Sequence, residues 1–311
     1  MKNIKKNIIV VILTLFCLFN VCPSLDVYAA EGDTYLALGN DLSAEQRATV
    51  LSLMGLTEDD VSKLNVTYIT NEMEHEYLDE YIDSSVIGKN ALSSVCVKQT
   101  AEGSGIKVTT HNINYCTVSM YKNALVTAGV ENADVTVAGP FSISGTAALI
   151  GAMKAYEDMT GTKLDKEAKD VAVDELVTIG EITENLSDEE KAKVEEIINE
   201  IKAKVIADGI TDKDEIQKII DDVLAENGIT LSDEEKEILN NLMSRIGELD
   251  IDPAKLLSQV GDLYDKYGED ALKSVKNAAS EVLTDENKQK FWNLVVDLGK
   301  SLWNKVKEKL N

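Results

Sequence analysis

Two hydrophobic periodicities divide the chain. From about residue 64 to residue 138, apolar side chains come in runs of strand length, broken by Gly, Asn, Ser and acidic residues. Leu64–Thr70, Leu92–Gln99, Ile106–Cys116 and Ala133–Ala138 each predict a strand, and Val95 and Val97 alternate onto one face. Beyond residue 162 the apolar spacing changes to three and four. Val194, Ile197, Ile198, Ile201 and Val205 then form a single helical stripe.

Helix signals punctuate both parts. Ser43, preceded by Leu42, caps a short helix ending at Gly55. An acidic helix or loop follows the first strand through Ile82. Thr117 caps a helix that runs to Ala128 and stops at Gly129, and Ser144 or Thr146 starts another reaching Thr160. The turn Glu102-Gly103-Ser104-Gly105 predicts that Leu92–Gln99 and Ile106–Cys116 form a hairpin. Pro140 is expected to end the strand Ala133–Ala138. The strand-helix-strand-helix order after residue 106 predicts a parallel, right-handed crossover.

In the second part, Leu186-Ser187-Asp188-Glu189-Glu190-Lys191 recurs as Leu231-Ser232-Asp233-Glu234-Glu235-Lys236. Leu283-Thr284-Asp285-Glu286-Asn287-Lys288 is a looser copy. Ser187 with Glu190, and Ser232 with Glu235, spell capping boxes, and Asp252-Pro253 marks another start. The sequences between the copies do not match, so this is repeated use of one helix-start signal and not a solenoid. The fold class expected is α+β: a small mixed sheet (hairpin plus strand-helix-strand crossover) with packed helices over residues 30–161. An all-α bundle of about six helices should follow over residues 162–311.

The first 29 residues have a different grammar. Lys2, Lys5 and Lys6 precede an apolar run from Ile8 to Phe19, and Val27-Tyr28-Ala29 offers small residues at the −3 and −1 positions. This is the pattern of a signal peptide cleaved after Ala29. The run is shorter than the roughly 20 apolar residues a spanning helix needs. The expected location is therefore outside the cell, secreted or associated with the wall. Cleavage would leave 28 basic against 54 acidic side chains, a net charge near −26. That argues against nucleic acid as a partner, since it requires a basic footprint.

Export also changes the cysteine count, leaving Cys96 and Cys116. An even pair in an exported chain invites a disulfide, and the alternative is two strand residues that never meet. Glu72, Glu76, Asp79 and Asp83 would share a helical face, as a candidate Ca2+ site or as a solvated acidic surface. No calcium-loop pattern is present, and His75-Glu76 lacks the second His of a zinc-protease motif. No metal site or cofactor is otherwise indicated. His111 and Asn112 lie on a polar strand. Ser144-Gly145-Thr146 lies where a strand turns into a helix, and backbone N–H groups there could hold an anion, or Ser144 could cap the helix. These five residues form the candidate ligand surface. The C-terminal stretch is basic and amphipathic, with Trp292, Val295, Leu302, Trp303 and Val306 on one face. That face would meet either the core or an anionic membrane.

Several short motifs together resemble one family. They include Thr70-Asn71-Glu72, Glu74-His75, Tyr77-Leu78, Ile87-Gly88, Ser93-Ser94, Gly103-Ser104-Gly105-Ile106, Asn112-Ile113, Met120-Tyr121, Asn123-Ala124-Leu125 and Thr127-Ala128-Gly129-Val130. Above all they include Ser144-Gly145-Thr146-Ala147-Ala148-Leu149 with Lys154-Ala155-Tyr156-Glu157. The chain resembles domain-of-unknown-function family 1002, the YpuA-like secreted proteins of Gram-positive bacteria, well over about residues 35–160 and loosely beyond. The resemblance implies export and an envelope context, and it brings no catalytic residues. It also implies that a Cys96–Cys116 bond would be an embellishment and not the basis of the fold.

The expected function is a non-catalytic binding or structural module that meets an unidentified envelope component. A wall hydrolase using His111 or the Glu72–Asp83 group is the rival class. Tethering to a membrane surface through Lys288–Leu310 is the third.

Overall fold

A computed structural model describes residues 32–82, 84–249 and 251. Five strands form one mixed sheet: β1 (Thr34–Gly39), β2 (Asn65–Ile69), β3 (Ser94–Gln99), β4 (Ile106–Ile113) and β5 (Ala133–Ile143), in the order β2-β1-β3-β5-β4. Around it lie α1 (Ala44–Leu53), α2 (Glu58–Val61), α3 (Asn71–Leu78), α4 (Ser84–Ile87), α5 (Val118–Thr127) and α6 (Thr146–Thr160). The helical part continues with α7 (Lys166–Thr183), α8 (Asp188–Asp208), α9 (Lys213–Asn227) and α10 (Asp233–Glu248). The class is α+β, as the periodicity implied.

The strand pairing differs from the expected hairpin. β3 and β4 do not pair with each other; both pair with β5, antiparallel and parallel respectively. The turn between them is opened by Asn132, whose side-chain oxygen accepts from Gly103 N at 2.8 Å and Gly105 N at 3.3 Å. That bridge brings the start of β5 into the gap. The winning strand is the more apolar one: Ala133, Val135, Val137 and Ala138 are all fully buried. The β4-α5-β5 segment forms the expected parallel crossover.

Two further corrections concern strand ends. β1 was not expected, yet it pairs with β2 in parallel and β3 antiparallel. Its Leu36-Ala37-Leu38 run is buried on both faces and shows no alternation to recognise. Pro140 does not end β5. Pairing to β3 stops at Ala138, so the proline lies where only β4 is a neighbour, and its missing N–H breaks no ladder there. A register irregularity at Asn112 absorbs the mismatch. That residue adopts φ 58, and its side-chain amide donates to Gly139 O at 3.0 Å.

α6 packs against β1 and β3, and α5 against β4. Gly151 lets α6 lie close: a Cβ there would meet Ala37 Cβ at 2.9 Å and Val95 Cγ1 at 3.1 Å. On the far face, Leu36, Leu38, Leu51 and Val61 form a smaller core. The main core runs without interruption from Val95 and Leu149 through Val173 and Ile197 to Leu239. Within it α7 packs on α5. Both capping boxes form as the sequence specified, at Ser187–Glu190 and Ser232–Glu235. Of the bundle, four helices fall among the described residues. The expected signal peptide, the expected helix starts at Asp252-Pro253 and Leu283, and the expected C-terminal amphipathic stretch lie outside them.

Candidate functional site

The helix start at residue 146 is built unlike the others. Ser144 does not cap α6; the N-cap position is Gly145, at φ 96, with no side-chain cap bond. The donor that a local cap would satisfy reaches across the fold, where Ala148 N donates to Ser93 Oγ at 3.0 Å. Ser144 Oγ lies 3.4 Å from Thr146 Oγ1 and stays half-buried. Gly145 cannot be replaced cheaply. Its φ suits glycine, and a Cβ would run into the Tyr121 hydroxyl and within 2.8 Å of Ile113 Cγ2. Buried Tyr121 donates that hydroxyl to Gly145 O, which fixes the turn.

Opposite this turn stands Glu74, from the middle of α3. Thr70 begins that helix, its Oγ1 accepting from Met73 N at 3.3 Å. Glu74 and Leu78 lie one turn apart and are both buried, Glu74 only 2% exposed. Thr146 Oγ1 donates to Glu74 Oε1 at 2.9 Å, and Asn71 Nδ2 is 3.4 Å from Oε2. Burial pushes the Glu74 carboxyl up to about 6, against the pull of these two hydrogen bonds.

The acidic face anticipated from spacing is a different set. Glu72, Glu76 and Asp79 are exposed, and Asp83 lies outside the described residues. No group of three or more His, Cys, Asp or Glu able to hold a metal occurs among the described residues. Asp79 instead pairs with His75, Oδ1 to Nδ1 at 2.6 Å, and this hydrogen bond foremost raises the His75 imidazole.

A pocket of about 260 Å³ opens between Glu74 and the start of α6. Its walls include Ser93, Lys89, Asn90, Ser144 and Thr146. The segment around Gly88 is tied to α3, since Asn71 Nδ2 reaches Gly88 O at 3.4 Å. Of the five residues expected to form one ligand surface, Ser144, Gly145 and Thr146 line this pocket. His111 and Asn112 do not; they lie on β4, and the Asn112 amide is spent on Gly139 O.

Cys96 and Cys116 are free thiols on opposite faces of the sheet, so the structure does not bring the pair together. Cys96 alternates with Val95 and Val97 and packs in the small core, whereas Cys116 belongs to the main one. Burial pushes their thiols up to about 11 and about 12, which makes them poor nucleophiles. Trp292, Val295, Leu302, Trp303 and Val306 lie outside the described residues. Among the described residues no helix is long and apolar enough to cross a membrane.

Two site residues escaped the sequence reading, Glu74 and Ser93. A signal for Glu74 was present, because it lies four residues before Leu78 on the apolar side of α3. Ser93 carried none, since its role depends on β3 lying beside α6.

A model of the family described as "Protein of unknown function (DUF1002)" matches residues 38–263. That span takes in the pocket and continues through the helical part. "Uncharacterized protein YpuA" of Bacillus subtilis (strain 168) is 37% identical over 279 residues, 89% of this chain and 90% of that protein. No solved structure matches.

Proposed function

This chain belongs to the DUF1002 family of proteins of unknown function, and from that premise we propose that it is an exported, envelope-associated, non-catalytic binding module. The ligand enters the pocket between α3 and the start of α6. One observation carries this reading: Glu74, Ser93 and the Ser144–Thr146 turn, from three separate stretches of sequence, converge on one pocket at a helix start whose own N-cap residue, Gly145, offers no side chain. Buried polar groups brought together at a concave surface are the usual signature of a ligand site. The signal-peptide pattern of residues 1–29 supports export.

The test is sedimentation of the secreted form with isolated cell walls. Wild-type protein is expected in the pellet. Thr146→Val and Ser144→Ala are expected to weaken retention by about tenfold, as for loss of one buried hydrogen bond. Equal retention of all three would count against the pocket. Finding the chain in the cytosol with residues 1–29 attached would remove the export part.

A hydrolase acting on a wall component is the second reading, favoured by one feature. A buried carboxylate raised to about 6 accepts a hydroxyl beside a second hydroxyl, Ser144 Oγ. Release of soluble fragments from walls, abolished by Ser144→Ala, would support it. No release by the wild type would exclude it.

A further inference from the structure

The pocket's chemistry narrows the ligand class, and this inference rests on the binding reading above. Glu74 is buried without a cationic partner in its hydrogen-bond set. A hydroxyl and a distant side-chain amide serve it instead. A carboxylate has about four lone-pair sites, so acceptor capacity remains on the pocket side. The adjoining wall presents hydrogen-bond donors: the Ser144 hydroxyl, Lys89, and the start of α6, where Gly145 gives no cap and Ser93 Oγ takes Ala148 N.

These two walls exclude the simplest ligands. A free anion would suit the helix start and Lys89 but face the Glu74 carboxylate at close range. A free cation would suit Glu74 but face the positive end of α6. An apolar group would leave both walls unsatisfied. A group with one N–H and one C=O, fixed on opposite sides of a plane, satisfies both.

We propose that the pocket takes an amide group, its N–H directed at Glu74 and its C=O at Ser144 and the start of α6. The volume of about 260 Å³ lies just below the range of ordinary ligand sites. It accommodates one amide with its flanking carbons. An acetamido sugar and a peptide both present such an amide.

The test uses the secreted form labelled with 15N, at pH 7, with probes of matched shape. N-methylacetamide has the N–H, methyl acetate lacks it, and acetate carries a charge. N-methylacetamide is expected to shift the Gly145 and Thr146 amide resonances. Methyl acetate and acetate should bind at least about tenfold more weakly. Glu74→Gln, which keeps shape and removes charge, should erase most of the preference for the amide over the ester. Thr146→Val serves as the second variant. N-acetylglucosamine and N-acetylalanine methylamide, compared side by side, distinguish a sugar source from a peptide source.

An ester that binds as tightly as the amide, or acetate that binds more tightly, overturns the proposal. Silence from every probe, with wall retention still sensitive to Ser144→Ala, overturns the amide class and leaves the binding reading standing. Silence together with no wall retention removes both.

Discussion

Two buried glutamates, one in each half of the molecule, are treated in opposite ways. In the helical part, Glu175 on α7 meets Lys202 on α8 at 2.7 and 2.9 Å, and both side chains are essentially unexposed. Lys202 also donates to Asn123 O on α5 at 3.2 Å, and Thr127 bonds to both charged groups. Every charge there is answered, and the cluster ties three helices together. Glu74 in the sheet part has no such cation, only a hydroxyl and a distant amide. The helix starts repeat the contrast. At α8, Ser187 Oγ accepts from Glu190 N at 3.4 Å and Glu190 Oε2 accepts from Ser187 N at 3.0 Å, all within three residues. At α6 the bond that replaces the cap comes from Ser93, just before β3. A polar site whose charges are all answered holds the fold together, and the site whose carboxylate has no cation is the one proposed to take a ligand.

The comparison breaks most visibly at the paired glutamate. Lys202→Met leaves Glu175 buried without its partner and is expected to cost about 3–5 kcal/mol, read from the urea midpoint. The double variant Glu175→Leu, Lys202→Met should recover most of that loss. A single variant with almost no effect would mean that the cluster is not what ties α5, α7 and α8.

Gly145→Ala comes next. A left-handed φ and a Cβ driven against Tyr121 should together cost roughly 2–3 kcal/mol. The same variant should abolish wall retention, because the pocket wall must shift. Retained binding at full stability would show that the turn is not needed.

Glu74→Gln should behave in the reverse sense. The carboxyl moves from an ordinary 4.5 to about 6 on folding, so the folded state holds its proton more tightly. Its stabilising effect is complete below pH 4.5 and is lost as pH rises through 6. At neutral pH the ionised, buried carboxylate leaves the fold about 2 kcal/mol less stable than at low pH. Glu74→Gln should therefore stabilise the protein at pH 7 by about this amount, and little at pH 4, while weakening ligand binding. Stability gained with function lost marks a group kept for function. A destabilised Gln variant at pH 7 would place Glu74 beside Glu175 as a purely structural acid.

The smallest effect belongs to the local caps. Ser187→Ala should cost about 1 kcal/mol and leave wall retention untouched.

Much of the fold was legible because its causes are local. Ser187, Ser232 and Thr117 cap helices through partners three residues away, and Val95 and Val97 declare their face by alternation. The strand order was not, because Asn132 opens the 102–105 turn from 27 and 29 residues away along the chain. β1 was missed because a strand buried on both sides has no polar positions to mark its period. At the site, Ser144-Gly145-Thr146 was legible as a strand-to-helix turn. Its expected companion, His111, does not line the pocket, because β3 and β4 do not form a hairpin. With β5 between them, the surface beside Thr146 is occupied by α3 and the Gly88–Ser93 segment. Counting acidic residues at three and four picked the exposed face of α3 and passed over Glu74, the one acid aligned with the core.

The most direct test of the account is a 13C titration of the Glu74 side-chain carboxyl, free and saturated with N-methylacetamide. An N–H donated to the carboxylate favours its charged form. The account predicts a midpoint near 6 in the free protein and a lower one with the amide bound. A free midpoint at the ordinary 4.5, or one that does not move when the amide binds, would contradict it.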